Sequence, residues 1–379
     1  MGLPLDHAIR NLGRRPTRTL LAALSSAMVA ALLVATVAFA RGLEGTFSGA
    51  ADPRTALLLS SVSDRDVVRS TAQAGLGSLV KASVPGILAA SDEIHMGTSV
   101  GFSGEQDVHA GFVRGVTDEA YEVHRALTLT AGRLPGPGEV IVGRLVPGQM
   151  GVDPGRLEVG RTLLVEGAEM KVVGHFTAPG TTLEAEIWTP LEPLRGLTQR
   201  DDSSCVFVLV DGDRALQLLK LFCDRRLDLE LEMVTSEEYY EELARYMRPI
   251  QSMAWVLSAL IAVAALLGGA NTSIASVQDR IRELAALRAL GFGSLAIVRS
   301  LLVEALVIAA AGAIAGLLLG RLVLSGAAVS LAMSAFELRA DAAAVLAAFG
   351  AALLIALLGV VPAALRVVRL PIALALVED

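Results

Sequence analysis

Residues 249–278 form a run of 30 positions without one ionisable side chain, and a second apolar run, 300–320, follows after a short charged stretch. No other feature constrains the fold as strongly. A helix rising 1.5 Å per residue needs about 20 residues to cross about 30 Å of hydrocarbon, so each run is long enough for a membrane span. The stretch between them, SVQDRIRELAALRALGF, carries Arg280, Arg282 and Arg288, which are costly at bilayer depth but comfortable in water beside an anionic membrane face. The layout is a helical hairpin in a membrane with its charged turn (279–299) in the cytoplasm.

Two further spans follow from charge-free runs at 19–40 and 342–365; the run 300–320 contains only Glu304. Ten arginines fall on one side of these four spans: Arg10, Arg14, Arg15 and Arg18 before the first, Arg280, Arg282, Arg288 and Arg299 between the second and third, and Arg366 and Arg369 after the fourth. By the positive-inside rule the basic segment 1–18 and the tail 366–379 are cytoplasmic, and 42–247 and the loop 321–341 lie outside. Arg14-Arg15 with Ala38-Phe39-Ala40 also resembles a secretory signal, but a 22-residue apolar segment exceeds the usual 7–15-residue signal core.

Charge is divided in the same way. Residues 42–247 hold 31 acids against 18 bases, while the remainder holds 8 acids and 14 bases, so an acidic solvated domain is joined to basic membrane flanks. The acidic balance gives no footprint for nucleic acid.

Within 42–247, β-branched runs at 55–62, 108–116, 139–146, 205–210 and 229–234 read as strands. Helical spacing appears at 66–90, interrupted by Gly75, Gly77 and Pro85-Gly86, and again at 213–227. Gly/Pro density and the hairpin signal Glu166-Gly167-Ala168-Glu169 predict a β-rich insertion at about 117–203 in an extracytoplasmic α+β domain. Thr235-Ser236-Glu237-Glu238 has capping-box spacing and opens a helix predicted to continue into the second span, with Pro249 at the water–lipid boundary.

Chemistry-bearing patterns are few. There is no GxxxxGK[ST] loop, and the lysines are only Lys81, Lys171 and Lys220, so ATP hydrolysis is not expected in this chain. His7, His95, His109, His124 and His175 have no metal-ligand spacing, nothing resembles GxSxG, and neither a metal site nor a catalytic residue is expected. Cys205 and Cys223 are both extracytoplasmic, compatible with a disulfide or with two buried thiols. Gly312, Gly316 and Gly320 place three bare positions on one helix face, suited to close packing against another span or a second copy of the chain. Asn271 is expected to hydrogen-bond across helices, and Glu304 to be hydrated or paired with an interfacial arginine. In the turn, Ile281, Leu284, Leu287 and Leu290 share one face, Arg280, Arg282, Glu283 and Arg288 cover the rest, and Gly291 stands where a helix C-cap belongs.

The run GGANTSIASVQDRIRELAALRALGFGSLAIVRSLLVEALVIAAAGAIAGLLLG resembles the FtsX-like permease domain of bacterial ABC transporters, the MacB and LolC/LolE class. RNLGRRPTRTLL, LTAGRLPGPGEVIVG, VGRTLLVEGAEMKVVGHF and VPAALRVVRLPIALAL resemble its remaining parts, with Asp279 where glutamate is commoner and Phe292 where a small residue often follows the glycine. The resemblance implies a four-span inner-membrane permease subunit whose outer domain has a porter-like part and a small β-rich insertion. It implies that 279–299 is a coupling helix docking on a separate ABC ATPase subunit, which would bind ATP and Mg while this chain binds no cofactor. It also implies a second permease copy, identical or not, contact with membrane lipid, and a periplasmic adaptor or outer-membrane protein as a further partner. Export or extraction of a lipophilic, peptide or lipoprotein substrate is the implied activity; regulation of an external enzyme by transmitted force is the alternative.

Overall fold

The structure is a computed structural model that describes residues 16–48, 51–105, 107–324, 328–331, 334–338 and 340–369. Most of the basic segment 1–18, His7, parts of the loop 321–341 and the tail beyond 369 lie outside the described residues. The chain divides into two compact units, passing from one to the other at 41/42, 248/249, 325/326 and 337/338.

The first unit is helical. It is built from α1 (Pro16–Ser48), α2 (Ser236–Gln278), α3 (Ile281–Ala289), α4 (Ser294–Leu324) and α5 (Ala342–Val368), of which α1 and α2 extend into the second unit. Among the described residues, α1, α2, α4 and α5 are long and apolar enough to cross a membrane. Their mutual faces are lined by small residues. Ala30, Leu33, Val34 and Ala38 of α1 are buried with Ala313 and Leu317 of α4 and Ala348 and Ala352 of α5. Large apolar side chains such as Leu260, Leu267, Leu318 and Leu346 point outward, as expected of helices solvated by lipid.

Helix α2 runs unbroken for 43 residues, on the order of 65 Å at 1.5 Å per residue, with Pro249 inside it. Its start is capped by Thr235 Oγ1, which accepts a hydrogen bond from Glu238 N at 3.2 Å. Proline removes one backbone donor, yet the helix continues through it, with a charged segment before it and the apolar run after it.

The second unit is organised around ten strands: β1 (Thr55–Ser60), β2 (Ile87–Phe102), β3 (Val108–Val116), β4 (Thr128–Gly132), β5 (Glu139–Gly143), β6 (Thr162–Val165), β7 (Ala168–Thr177), β8 (Ile187–Pro190), β9 (Cys205–Val210) and β10 (Leu231–Thr235). They hydrogen-bond in the order β10-β1-β9-β2-β3-β8-β5-β7-β4, and β6 pairs with both β2 and β7. The last pairing closes a six-stranded barrel, β2-β3-β8-β5-β7-β6. Its interior is filled by Val113, Val140, Val142, Leu163, Val172 and Ile187 among others, so it is a packed core rather than a channel. The remaining sheet, β10-β1-β9-β2, buries Leu58, Val206 and Val208 against the helices Leu76–Ser83 and Asp213–Arg225, and Leu57, Phe207 and Leu209 on its other face.

Three expectations need correction. The segment 66–90 is helical only over Leu76–Ser83, and from Ile87 it becomes the 16-residue strand β2. Ser91, Asp92, Glu93 and His95 masked that strand, because polar side chains in a row do not read as a buried strand when their partners are remote in sequence. The strand expected at 139–146 stops at Gly143, and Val146–Met150 is a short helix. The barrel is also not contained in 117–203, since β2 and β3 supply two of its six strands. The β6–β7 turn does form at Glu166-Gly167, with φ of 49° and 80°, the left-handed pair that a type I′ hairpin requires.

A second hairpin, β11 (Ala328–Leu331) with β12 (Ser334–Glu337), belongs to the second unit although it lies between α4 and α5 in sequence. Ala335 is buried with Leu145 and Ala185. Arg144 Nη2 donates to Glu184 at 3.0 Å and to Glu337 at 2.8 Å, which ties the hairpin to the barrel.

Candidate functional site

The turn between α2 and α4 is built by local signals. Helix α3 ends in a Schellman motif: Gly291 is left-handed at φ 92°, its N–H donates to Arg288 O at 3.0 Å, and Phe292 N–H donates to Leu287 O at 3.1 Å. A side chain at 291 would be strained there, which is why glycine stands at that point.

The structure separates the turn residues into two groups. Leu284 is buried with Val277 of α2, Ile297 of α4 and Ala363 and Val367 of α5, and Leu287 packs at the edge of this cluster. Ile281 is half-buried, Ala285 is fully buried and Arg288 reaches Val367 O at 3.4 Å. Of the apolar face read from the sequence, Leu284 and Leu287 are therefore covered by the chain's own bundle, while Leu290 is not. The surface left outside consists of Arg282, Glu283, Ala286, Ala289 and Leu290, with Leu290 76% exposed.

Arg280 is withdrawn from that surface as well. Its Nη1 and Nη2 donate to Glu304 Oε2 and Oε1 at 3.1 and 3.2 Å, and both side chains are largely buried. Such a bidentate pair holds two charges between helices where either alone would be costly. The pair borders a cavity of about 550 Å³ among α1, α2, α4 and α5, which Ser25, Ser26, Thr272 and Ser276 also line. The Thr272 hydroxyl returns to Gly268 O at 2.9 Å and the Ser26 hydroxyl crosses to Ala309 O at 3.1 Å.

The glycine stripe packs within the chain. A Cβ at Gly312 would stand 2.4 Å from Ala23 O, one at Gly316 2.0 Å from Ala27 O, and one at Gly320 2.8 Å from Val34 Cγ1, all on α1. Asn271 departs from expectation: it is exposed on α2 rather than packed between helices.

At the start of α2, Tyr240 is buried and Tyr239 packs with Leu57, Phe207 and Val234, so this end of the helix is part of the second unit's core. One helix thus begins inside the strand-rich unit and ends at the turn.

Residues 19–220 match the family described as MacB-like periplasmic core domain, and residues 255–372 match the FtsX-like permease C-terminal family. The chain belongs to the FtsX/MacB-like permease family. Among solved structures, it is similar to the periplasmic region of MacB from Actinobacillus actinomycetemcomitans, at 12% identity and a TM-score of 0.41, over 52% of this chain and 94% of that one. It is also similar to the extracellular domain of the noncanonic ABC-type transporter YknZ from Gram-positive bacteria, at 14% identity and a TM-score of 0.38, over 48% of this chain and 100% of that one. A domain of a putative permease protein from Porphyromonas gingivalis matches at 14% identity and a TM-score of 0.35, over 48% of this chain and 88% of that one. A comparison with curated proteins returns no match. Membership of this permease family supports a non-enzymatic membrane subunit of an ABC transporter and implies an ATPase partner and dimeric assembly.

The sequence reading missed a buried charge cluster in the second unit. Arg114 on β3 donates through Nε and Nη2 to Glu186 at 2.7 Å each and through Nη1 to Glu93 at 2.8 Å. Glu93 also meets His124 Nε2 at 2.8 Å and His95 Nε2 at 3.0 Å, while Trp188 Nε1 donates to Glu186 at 2.8 Å. Burial alone would raise the Glu93 carboxyl, but His124 and Arg114 beside it hold it well below the usual carboxylate range. Burial, reinforced by Arg114, pushes His95 down. The available signal was Glu93 and His95 two apart on one strand face and a lone arginine inside FVRGV.

Proposed function

We propose that this chain is the permease subunit of a bacterial ABC transporter of the MacB/FtsX type. Two permease copies and two separate ATPase subunits would assemble in the inner membrane with both termini in the cytoplasm. ATP hydrolysis in the partner would move the strand-rich unit to export or extract a lipophilic, peptide or lipoprotein substrate from the outer side. The observation that carries the reading is α2, a single 43-residue helix with Tyr239 and Tyr240 built into the strand-rich unit at one end and the α3 turn at the other. A continuous helix transmits displacement along its axis because its backbone hydrogen bonds resist compression. The packed barrel interior offers no conduit, which supports a lever rather than a channel through that unit.

The outward surface of the turn, with Arg282 and Glu283 exposed near the start of α3, is the expected ATPase contact, and Leu290, exposed at the end of α3, is its apolar anchor. Leu290→Asp puts a charge into that contact without touching the buried Leu284 cluster. Co-purification of the ATPase and its permease-dependent ATP turnover are expected to fall together, at unchanged abundance of the mutant in the membrane. If the ATPase stays bound and fully stimulated, the coupling role of this turn is wrong.

The same lever serves the alternative reading, in which the subunit transmits force to an external enzyme without transport. Substrate-stimulated ATP turnover in vesicles favours transport; turnover stimulated by an external hydrolase or its activator favours force transmission.

A further inference from the structure

We infer that Glu93, His95 and Cys205 form a binding site for a transition-metal dication of the zinc class inside the second unit. Cys205 Sγ lies 3.7 Å from His95 Nε2, which lies 3.0 Å from Glu93 Oε2, and the three ligand atoms all fall within 4.8 Å of one another. A tetrahedral zinc ion, with bonds of about 2.3 Å to sulfur and about 2.0–2.1 Å to nitrogen and oxygen, places S and N about 3.6 Å apart and N and O about 3.3 Å apart. The His95–Cys205 and His95–Glu93 pairs therefore need to move by only a few tenths of an ångström, and the Glu93–Cys205 pair starts within 4.8 Å. Thiolate, imidazole and carboxylate together select zinc, cobalt, nickel or copper over magnesium and calcium, which require mostly oxygen ligands.

The backbone holds the three in place. Glu93 and His95 are two residues apart on β2 and so share one face, and Cys205 on β9 is the direct cross-strand partner of Glu93. Paired strands give a more rigid ligand frame than loops do. Ser204 Oγ accepts from the backbone N–H of His95 at 3.0 Å, which fixes the strand at that point, and Arg114 donates to Glu93, the outer-shell support that metal-ligating carboxylates characteristically carry.

Charge also balances. The guanidinium of Arg114 is matched by its bidentate partner Glu186, which leaves the Glu93 carboxylate and a Cys205 thiolate to neutralise the two charges of the ion. Binding sends the Cys205 thiol proton to solvent and leaves the His95 proton on Nδ1, so that Nε2 presents its lone pair. His124 Nε2 lies 2.8 Å from the other oxygen of Glu93.

This inference is independent of the transport reading, and its test needs no ATPase. Full-length protein in detergent, stripped with a chelator and titrated with Co²⁺, is expected to bind about one ion per chain, with the thiolate-to-cobalt charge-transfer absorption of a tetrahedral site. Cys205→Ser should abolish that absorption and Cys223→Ser should retain it. His95→Gln should weaken binding by more than the roughly 10–100-fold typical of losing an outer-shell partner. Wild type without the absorption, Cys205→Ser that retains it, or His95→Gln with unchanged affinity would each overturn the site. Should the Cys205 or His95 variants not fold, X-ray absorption on the zinc-loaded Cys223→Ser protein decides: a sulfur scatterer at about 2.3 Å supports the site, and a shell of only oxygen and nitrogen overturns it.

Discussion

Arg280 and Glu304 show how far one residue's role depends on a neighbour 24 positions away. Read alone, Arg280 belongs with Arg282 and Arg288 on a cytoplasmic surface, and Glu304 calls for an interfacial arginine or water without saying which arginine. Their contact turns both into one buried unit, and removing one partner leaves the other charge stranded at a cost of about 3–5 kcal/mol. Glu304→Ala and Arg280→Ala are each expected to lower the thermal midpoint of the detergent-solubilised protein. The double replacement Arg280→Ala with Glu304→Ala should lose less than the two single losses combined, because no uncompensated charge remains. Strict additivity in that cycle would show that the two side chains do not act as a pair.

At the scale of the element, the four-residue spacing of Gly312, Gly316 and Gly320 was sufficient to predict a close-packing stripe. It could not say which helix fills it, because a second copy of the chain and a neighbouring span offer the same kind of surface. The answer is α1, whose Ala23 and Ala27 recur at the same spacing and expose their backbone carbonyls to the bare positions. Gly316→Leu is therefore expected to destabilise the isolated protomer, by about 1–3 kcal/mol or more as in overpacked cores, measurable as earlier thermal unfolding in detergent. Ala27→Gly should not rescue it, since the clash is with the carbonyl oxygen of residue 27 and not with its methyl group. Restored stability in the double variant would place the contact elsewhere. Helix α3 teaches a related lesson. Its boundaries and its glycine stop were legible because capping is local chemistry, whereas the apolar spacing alone could not say whether the bundle or a cytoplasmic partner covers Leu284 and Leu287, which pack against the chain's own α2, α4 and α5.

For the whole molecule, the proposed orientation rests on ten arginines sharing one side of the spans and on an acidic 42–247 region that has no route into a bilayer. In inverted membrane vesicles, with the cytoplasmic face outward, protease is expected to leave 42–248 intact and to cut there only after detergent is added. Cleavage within 42–248 in sealed inverted vesicles would reverse the topology and remove the cytoplasmic turn from reach of an ATPase. The hairpin β11–β12 adds a constraint that composition alone did not suggest. The connection between α4 and α5 is gripped by the strand-rich unit through Arg144, Glu184 and Glu337, so that unit holds the connection as well as the ends of α1 and α2.

What the sequence determined by itself is what depends on runs and short periods. Four apolar lengths are set by the dielectric they must match, strand and helix types at 108–116, 205–210 and 213–225 by alternation and spacing, and the Glu166-Gly167 and Gly291 turns by residues that tolerate left-handed backbone. Tertiary structure alone decided which of these elements meet. It closed a barrel through β6, covered Leu284, seated the glycine stripe on α1, and drew Glu93, Arg114, His124, Glu186 and Cys205 to one buried point from strands and loops up to 112 residues apart. The reason is that a buried charge is tolerable only beside its partner, and nothing local in the chain records where that partner lies.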